Sequence, residues 1–453
     1  LSTTTSSTTT TTNNNISDDD DTKTGSFLSL VTLFQTSFRE IQTTLEKNVA
    51  SLEINKKMKL QDITTSLFYY LEYEESIKTP SWKRRMHRFH NSVNVKDVVE
   101  LNDQLYLAEL AYADSVEDIQ FGLKHHPTNK KKGKEEEDEE DGWELAYCQM
   151  KSLPGKPSHY LAVRRPSSSS PYLDVLLVAR GTKTLSDLFT DAMLDTTPYG
   201  TGTTTSKEGS VAHAGVLKSG LYLSKLHADL IETLRVASNK QKVKLTCVGH
   251  SLGAGAVSIA AMEFKNQNNK RYDVSVTGFG CPALVSKELS VEMQDFVTTV
   301  IVDSDVIPRM SAATIANVVL DVMEYDWVDM GRRDVQQALE EISSSSGVIT
   351  KVMSMVDDIL ERYIRPSILK STKQRMTPIL FPPGNCIHFY RDGRGISGSR
   401  APCDFFGEID VTRTMLDDHT IDSGYRRIFL DLMREVMEDP HFRFEEHSKD
   451  QKR

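Results

Sequence analysis

The sequence predicts an α/β protein with a mostly parallel central sheet, preceded by an N-terminal helical region. Three observations carry this. From about residue 145 short β-rich runs alternate with helix-length segments. Those runs are almost continuously apolar, the pattern of strands buried on both faces of a parallel sheet. Before residue 115 the apolar residues instead recur at helical spacing.

The elements follow in chain order. Residues 1–25, "LSTTTSSTTTTTNNNISDDDDTKTG", hold almost no apolar side chains and are expected to be a disordered tail. Residues 26–115 form the helical region. Ile41, Leu45 and Val49 mark one segment, and Ile63, Leu67 and Tyr70 a second, together a helical hairpin or cap. In "VNVKDVVELNDQLYLAELAYA" (93–113) Val98, Leu101, Leu105, Ala108 and Tyr112 lie on one stripe that should pack on the main core. "KHHPTNKKKGKEEEDEEDG" (124–142) sets a basic block beside an acidic one and reads as a solvated, disordered loop. For His125 and His126 within it a flexible loop is the plainer reading and metal ligation the other.

The α/β domain spans 145–440. "YLAVRR" (160–165) and "YLDVLLVAR" (172–180) are strands joined by a Pro/Ser turn, followed by "VKLTCVG" (243–249), "VSVTGFG" (274–280) and "FVTTVIVD" (296–303). Right-handed crossovers through the intervening helices make the last three parallel. Residues 312–375 are rich in helix signals and too long for a simple connection, so a helical insertion beside the site is expected there. Within it Val352, Met355, Val356, Ile359 and Tyr363 form an apolar stripe, for which core packing is the plainer reading and a lipid-facing gate the other. The Gly/Thr-rich stretch between Asp191 and His213 is a lid or a loose loop. Residues 441–453 are a polar tail.

Composition limits the function. The 453 residues carry a net charge of −10, with no basic stripe for nucleic acid. Five cysteines, Cys148, Cys247, Cys281, Cys386 and Cys403, are too few for a disulfide scaffold, although Cys386 and Cys403 could pair. No apolar run reaches the roughly 18 residues of a membrane span. The expected state is soluble or peripheral, with a cytoplasmic location favoured over a secreted one. Because the sequence starts at Leu1, it is expected to be a processed or partial product.

Chemistry concentrates in "KLTCVGHSLGAGAVSIAAMEF" (244–264), where Gly249-His250-Ser251-Leu252-Gly253 matches G-x-S-x-G between a strand and a helix. Such an elbow has no room for a Cβ at Gly249 and Gly253, and it thrusts the serine hydroxyl out at the helix N-terminus. A serine nucleophile needs an imidazole base oriented by a carboxylate, in the chain order Ser, Asp, His. Asp305 follows the strand 296–303, with Asp303 in reserve, and His419 precedes the last amphipathic helix, 422–438. His388 lies inside a strand-like run and reads as half-buried structure, His250 as packing, and His213 as a loop anchor. The oxyanion donors expected are the Leu252 N–H and Thr182, at the end of the strand 172–180.

These stretches together resemble the fungal-lipase-like family, the class three lipases, and most closely its sn-1-specific diacylglycerol lipase branch. The resemblance rests on "ARGTKTLSDLFTD", "AHAGV", "VGHSLGAGAVS", "VIVDSDVIPRM" and "MLDDHTIDSGY", in that order, with "GFGCPALVS" and "ILFPPGNCIHFYRD" beside them, and covers about 170–435. It implies an α/β-hydrolase fold with Ser251, Asp305 and His419 as triad, and cleavage of fatty-acyl esters of glycerolipids through an acyl-enzyme. No cofactor or metal is expected. The partners expected are a glycerolipid and, peripherally, a membrane or lipid-droplet surface, with no nucleic acid. The alternatives are a catalytically silent interaction scaffold and an acyltransferase that uses the same acyl-enzyme.

Overall fold

The computed structural model describes residues 60–77, 93–126, 142–164, 170–181, 196–200, 210–267, 271–342, 346–368, 375, 377–392 and 395–438. The expectations for 1–25 and 441–453, the stripe at Ile41, Leu45 and Val49, and most of the 124–142 loop and the 191–213 stretch lie outside these residues.

An eight-stranded sheet runs in the order β1 (Trp143–Gln149), β2 (His159–Arg164), β3 (Tyr172–Ala179), β6 (Lys242–His250), β7 (Tyr272–Phe279), β8 (Val297–Val302), β9 (Asn385–Asp392), β10 (Gly395–Ala401). The strands from β3 to β9 are parallel, and antiparallel pairs close both edges. A separate ribbon pairs β4 (Thr196–Pro198) with β5 (Val211–His213). With helices on both faces, this is the α/β-hydrolase fold.

The continuous apolar runs have a direct cause. In β3, Val175, Leu177 and Ala179 enter the core on one face, while Leu176 and Val178 enter the core on the other. The first core is completed by α4 (Ala214–Ala237) and α5 (Leu252–Gln267). The second is completed by α2 (Val95–Leu110), α3 (Val116–Lys124) and α9 (Arg427–Glu438). Neither face of the central strands meets water, so no polar alternation survives in their sequence.

The N-terminal helices are anchored by local chemistry. Asn94 caps α2 by accepting the Asp97 N–H at 2.9 Å, and Ser115 caps α3 by accepting that of Asp118 at 3.1 Å. Val98, Leu101, Leu105 and Ala108 of the predicted stripe are buried. Residues 124–126, placed in the charged loop by composition, instead finish α3: His125 is its C-cap, and the buried His126 sits 3.2 Å from the Asp103 carbonyl oxygen.

A third apolar cluster spans elements far apart in sequence. Leu67 and Leu71 of α1 (Leu60–Ile77) meet Ile315, Ala316, Val319 and Val322 of α6 (Ala312–Glu324). Tyr69 stacks on Trp327 with ring centroids 5.1 Å apart and planes at 2°, and the Trp327 indole N–H donates to Ser66 Oγ at 3.1 Å. The same cluster takes in Val306 and Ile307, Met415 and Leu416, and the half-buried Leu252. The start of the 312–375 interval therefore packs against the immediate neighbours of Ser251, Asp305 and His419.

The rest of that interval corrects an expectation. α7 (Val328–Ile342) and α8 (Ser346–Ile359) follow, and no residue of α8 is buried. Met355 is 68% exposed, Ile359 52% and Tyr363 69%. The apolar stripe does not pack into the core. Arg332 joins α7 to α8 by pairing with Asp357 and Glu361, and Arg365 pairs with Asp326, Asp329 and Glu361. All five cysteines are free thiols, so Cys386 and Cys403 are not bonded. No helix among the described residues is long and apolar enough to cross a membrane.

Candidate active site

The strand β6 ends at His250, Ser251 turns, and α5 starts at Leu252. Ser251 stands at φ 59°, a conformation that costs a non-glycine residue energy and is held here by its surroundings. Its N–H donates to the Phe279 carbonyl at 2.8 Å, and its own carbonyl accepts the Ala254 N–H at 3.0 Å. The glycines permit the sharpness of this turn: a Cβ on Gly249 would sit 2.6 Å from the Ala254 nitrogen, and one on Gly253 would run into the Ala179 carbonyl.

Three side chains from distant parts of the chain meet at the turn. His419 Nε2 lies 2.9 Å from Ser251 Oγ, and His419 Nδ1 lies 3.0 Å from Asp305 Oδ1. A carboxylate can only accept, so Nδ1 carries the proton and Nε2 is left free to receive one from the serine. Ser251, His419 and Asp305 are 2%, 4% and 0% exposed. Burial pushes the Asp305 pKa up, but electrostatic attraction to the His419 ring and hydrogen bonds from His419, Tyr425 and the Ile307 N–H outweigh it and leave the carboxyl below its ordinary value. Tyr425 Oη donates to Asp305 Oδ2 at 2.6 Å, and the Ile307 N–H to Oδ1 at 3.0 Å.

The other candidates separate cleanly. Asp303, at φ 35°, faces away from His419: its carboxylate accepts the Arg391 N–H at 2.7 Å and pairs with the Arg391 guanidinium. His388 is fully buried rather than half-buried, and its Nε2–H donates to the Asp303 carbonyl at 2.8 Å. His213 caps α4 by accepting the Val216 N–H at 3.3 Å. Leu252 follows the serine at the α5 N-terminus, whereas Thr182 lies outside the described residues. Sequence reasoning missed Tyr425, although it stands in the stretch that carries His419. It also missed the contacts of His250. Among the described residues no group of three or more His, Cys, Asp or Glu could hold a metal ion.

Residues 176–315 match the family model described as Lipase (class 3). A segment of 141 residues, 30% of the chain, is 33% identical to mouse diacylglycerol lipase-beta and covers 20% of that protein. The chain thus spans about a fifth of the length of the curated relative it matches. Among solved structures it is similar to a lipase from Rhizopus microsporus var. chinensis, at 14% identity and TM-score 0.40 over 72% of this chain and 88% of that one. It is also similar to the Rhizomucor miehei lipase in its propeptide complex, at 12% identity and TM-score 0.44 over 74% and 80%. The similarity to class 3 lipases thus lies in the segment 176–315, which holds Ser251 and Asp305.

The buried imidazoles set an acid limit on stability. His159, His227, His250 and His388 are all buried with pKa values lowered by that burial, the last three to about 3. Unfolded, each titrates near pH 6.5, so below that pH the unfolded chain binds more protons and stability falls. Each group contributes a slope of up to about 1.4 kcal/mol per pH unit between its two pKa values. Asp305, with its lowered pKa, adds stability that is lost as pH drops through the carboxylate range. Asp418, raised to about 7 by burial and then by the Asp303 charge, opposes them, since its contribution is present at low pH and lost as pH rises through 7. Glu435, also raised by burial, acts in the same sense as Asp418, and four imidazoles outweigh these two carboxyls. The urea midpoint is expected to fall steeply between pH 6.5 and 5, and an equal midpoint at pH 8 and pH 5 would contradict this.

Proposed function

We propose that the chain is a serine hydrolase that cleaves fatty-acyl esters of acylglycerols through an acyl-enzyme. The observation that carries this is the unbroken hydrogen-bonded order Ser251, His419, Asp305 at a strand-to-helix elbow. Ser251 Oγ attacks the ester carbonyl while His419 Nε2 takes its proton, and Asp305 holds the imidazole in the tautomer that can do so. The oxyanion is met by the Leu252 N–H, with Thr182 as second donor, and each donor lowers the barrier by roughly 3 kcal/mol. His419 then returns the proton to the departing glyceride oxygen, and water releases the fatty acid by the same steps. An interaction scaffold would require none of this alignment.

The similarity to mouse diacylglycerol lipase-beta makes diacylglycerol the first substrate to try. The exposed Met355, Ile359 and Tyr363 support contact with a membrane or lipid-droplet surface. The test is to incubate the protein with mono-, di- and triacylglycerols and phospholipids, identify the products, and map the site of a fluorophosphonate probe. Fatty acid release and an adduct on Ser251 are expected. Transfer of the acyl group to an added alcohol in place of release would make the enzyme an acyltransferase, and neither product nor adduct would defeat the proposal.

A further inference from the structure

The segment that carries His419 is built from turns, with no strand to fix it between the 3-10 helix Cys403–Phe406 and the helical turn starting at Ile421. A general base must nevertheless be held to a fraction of an ångström. We infer that Tyr112 and His250 are a positioning pair that fixes His419 to the sheet and to the end of the oxyanion strand. The inference rests on the function proposed above.

The hydrogen-bond directions are determined by the partners. His250 Nε2 lies 2.8 Å from the carbonyl oxygen of His419, an acceptor only, so Nε2 carries the ring proton. In a neutral imidazole Nδ1 is then an acceptor, and Tyr112 Oη, 2.8 Å away, must donate to it. The same Oη accepts the Gly181 N–H at 3.2 Å. One ordered chain therefore runs from Gly181 through Tyr112 and His250 to the backbone of the proposed base. Reversing the tyrosine hydroxyl would leave His250 Nδ1 without a donor and set two hydrogens against each other at Gly181.

Position gives this chain its role. His250 ends β6, a central strand, and so supplies a rigid anchor. Its ring stacks on that of His419 with centroids 4.8 Å apart and planes at 27°, and Tyr425, which donates to Asp305, meets it edge-on at 5.7 Å. Burial, then the neighbouring His419, holds His250 neutral, with its pKa down to about 3. A neutral ring leaves the imidazolium that develops on His419 without a like charge against its face. At the other end, Gly181 lies between β3 and Thr182, and a Cβ on it would sit 3.0 Å from Ser251 Oγ. The pair thus couples the backbone at Gly181, against Ser251, to the placement of the base. Tyr112 lies two residues past the end of α2 and outside the 176–315 family match, so the N-terminal helices take part in the site.

The test is steady-state hydrolysis of a soluble p-nitrophenyl ester by the full chain, with melting followed in parallel. Tyr112→Phe removes one oxygen and is expected to lower kcat about ten-fold with KM within about two-fold, at a loss typical of a residue that orients a catalytic group. His250→Gln, whose amide offers an acceptor and a donor at similar reach, should keep activity close to that of Tyr112→Phe, while His250→Leu should fall about a hundred-fold. Wild-type kcat in both Tyr112→Phe and His250→Leu, with Ser251→Ala inactive, would overturn the pair and leave the proposed function standing. Losses that merely follow the fraction of unfolded protein, or that Gln fails to relieve relative to Leu, would overturn it as well. Full labelling and turnover in Ser251→Ala would overturn the proposed function and the pair together.

Discussion

Ser251→Ala is expected to lower ester hydrolysis by about 10⁶-fold and to abolish fluorophosphonate labelling, while the protein stays folded. The rate loss is large because the oxygen that forms the acyl-enzyme is gone, and what remains is the oxyanion donors and binding, which act on water alone. The fold should be spared for two reasons. Alanine carries the same Cβ as serine, so the backbone strain at φ 59° is unchanged. The lost hydrogen bond to His419 Nε2 is a single neutral one, with a net contribution of about 1 kcal/mol. The melting point should therefore move by a few degrees at most. A mutant that still accepts the probe would show that another nucleophile is at work.

The elbow could be read from sequence because its chemistry is local: glycine, serine and glycine must be adjacent for the turn to close, and adjacency is what a sequence displays. Asp305 and His419 were reached less directly, through their places after a strand and before a helix. Tyr112 and Tyr425 had no such mark. Their hydroxyls act across 138 and 120 residues of chain, and a tyrosine at helical spacing looks like any core residue until the fold brings it to its partner. The edge strand β10 was missed because Gly395, Ser397, Gly398 and Ser399 have little strand preference, and pairing with β9 decides its state. The stripe on α8 shows the opposite failure. Its period was visible, but a period states which residues share a face and not what covers that face.

Asp305→Asn is expected to reduce kcat by about 10⁴, and Asp303→Asn by less than about ten-fold. Either carboxylate fitted the sequence, and their environments now separate them. Asp305 receives hydrogen bonds at both oxygens, from His419 and Ile307 on one and from Tyr425 on the other. An amide there must turn its NH₂ toward one of these donors. If it faces His419, Nδ1 has to become the acceptor, the ring proton moves to Nε2, and His419 can no longer take a proton from Ser251. If it faces Tyr425, the hydroxyl must give up this donation, turn to the Val300 carbonyl 3.2 Å away and accept from the amide, and the negative charge that would stabilise an imidazolium on His419 is lost all the same. Asp303 is engaged elsewhere, since its carboxylate binds Arg391 on β9 and its carbonyl accepts from His388 and Arg309. Asparagine tolerates the positive φ and keeps an acceptor for the Arg391 N–H, so the loss is an ion pair whose arginine is 37% exposed. That change should lower stability modestly and leave the distance from His419 to Ser251 as it was. Measured side by side on one soluble ester, a slower Asp303→Asn than Asp305→Asn would transfer the orienting role to Asp303 and refute the assignment.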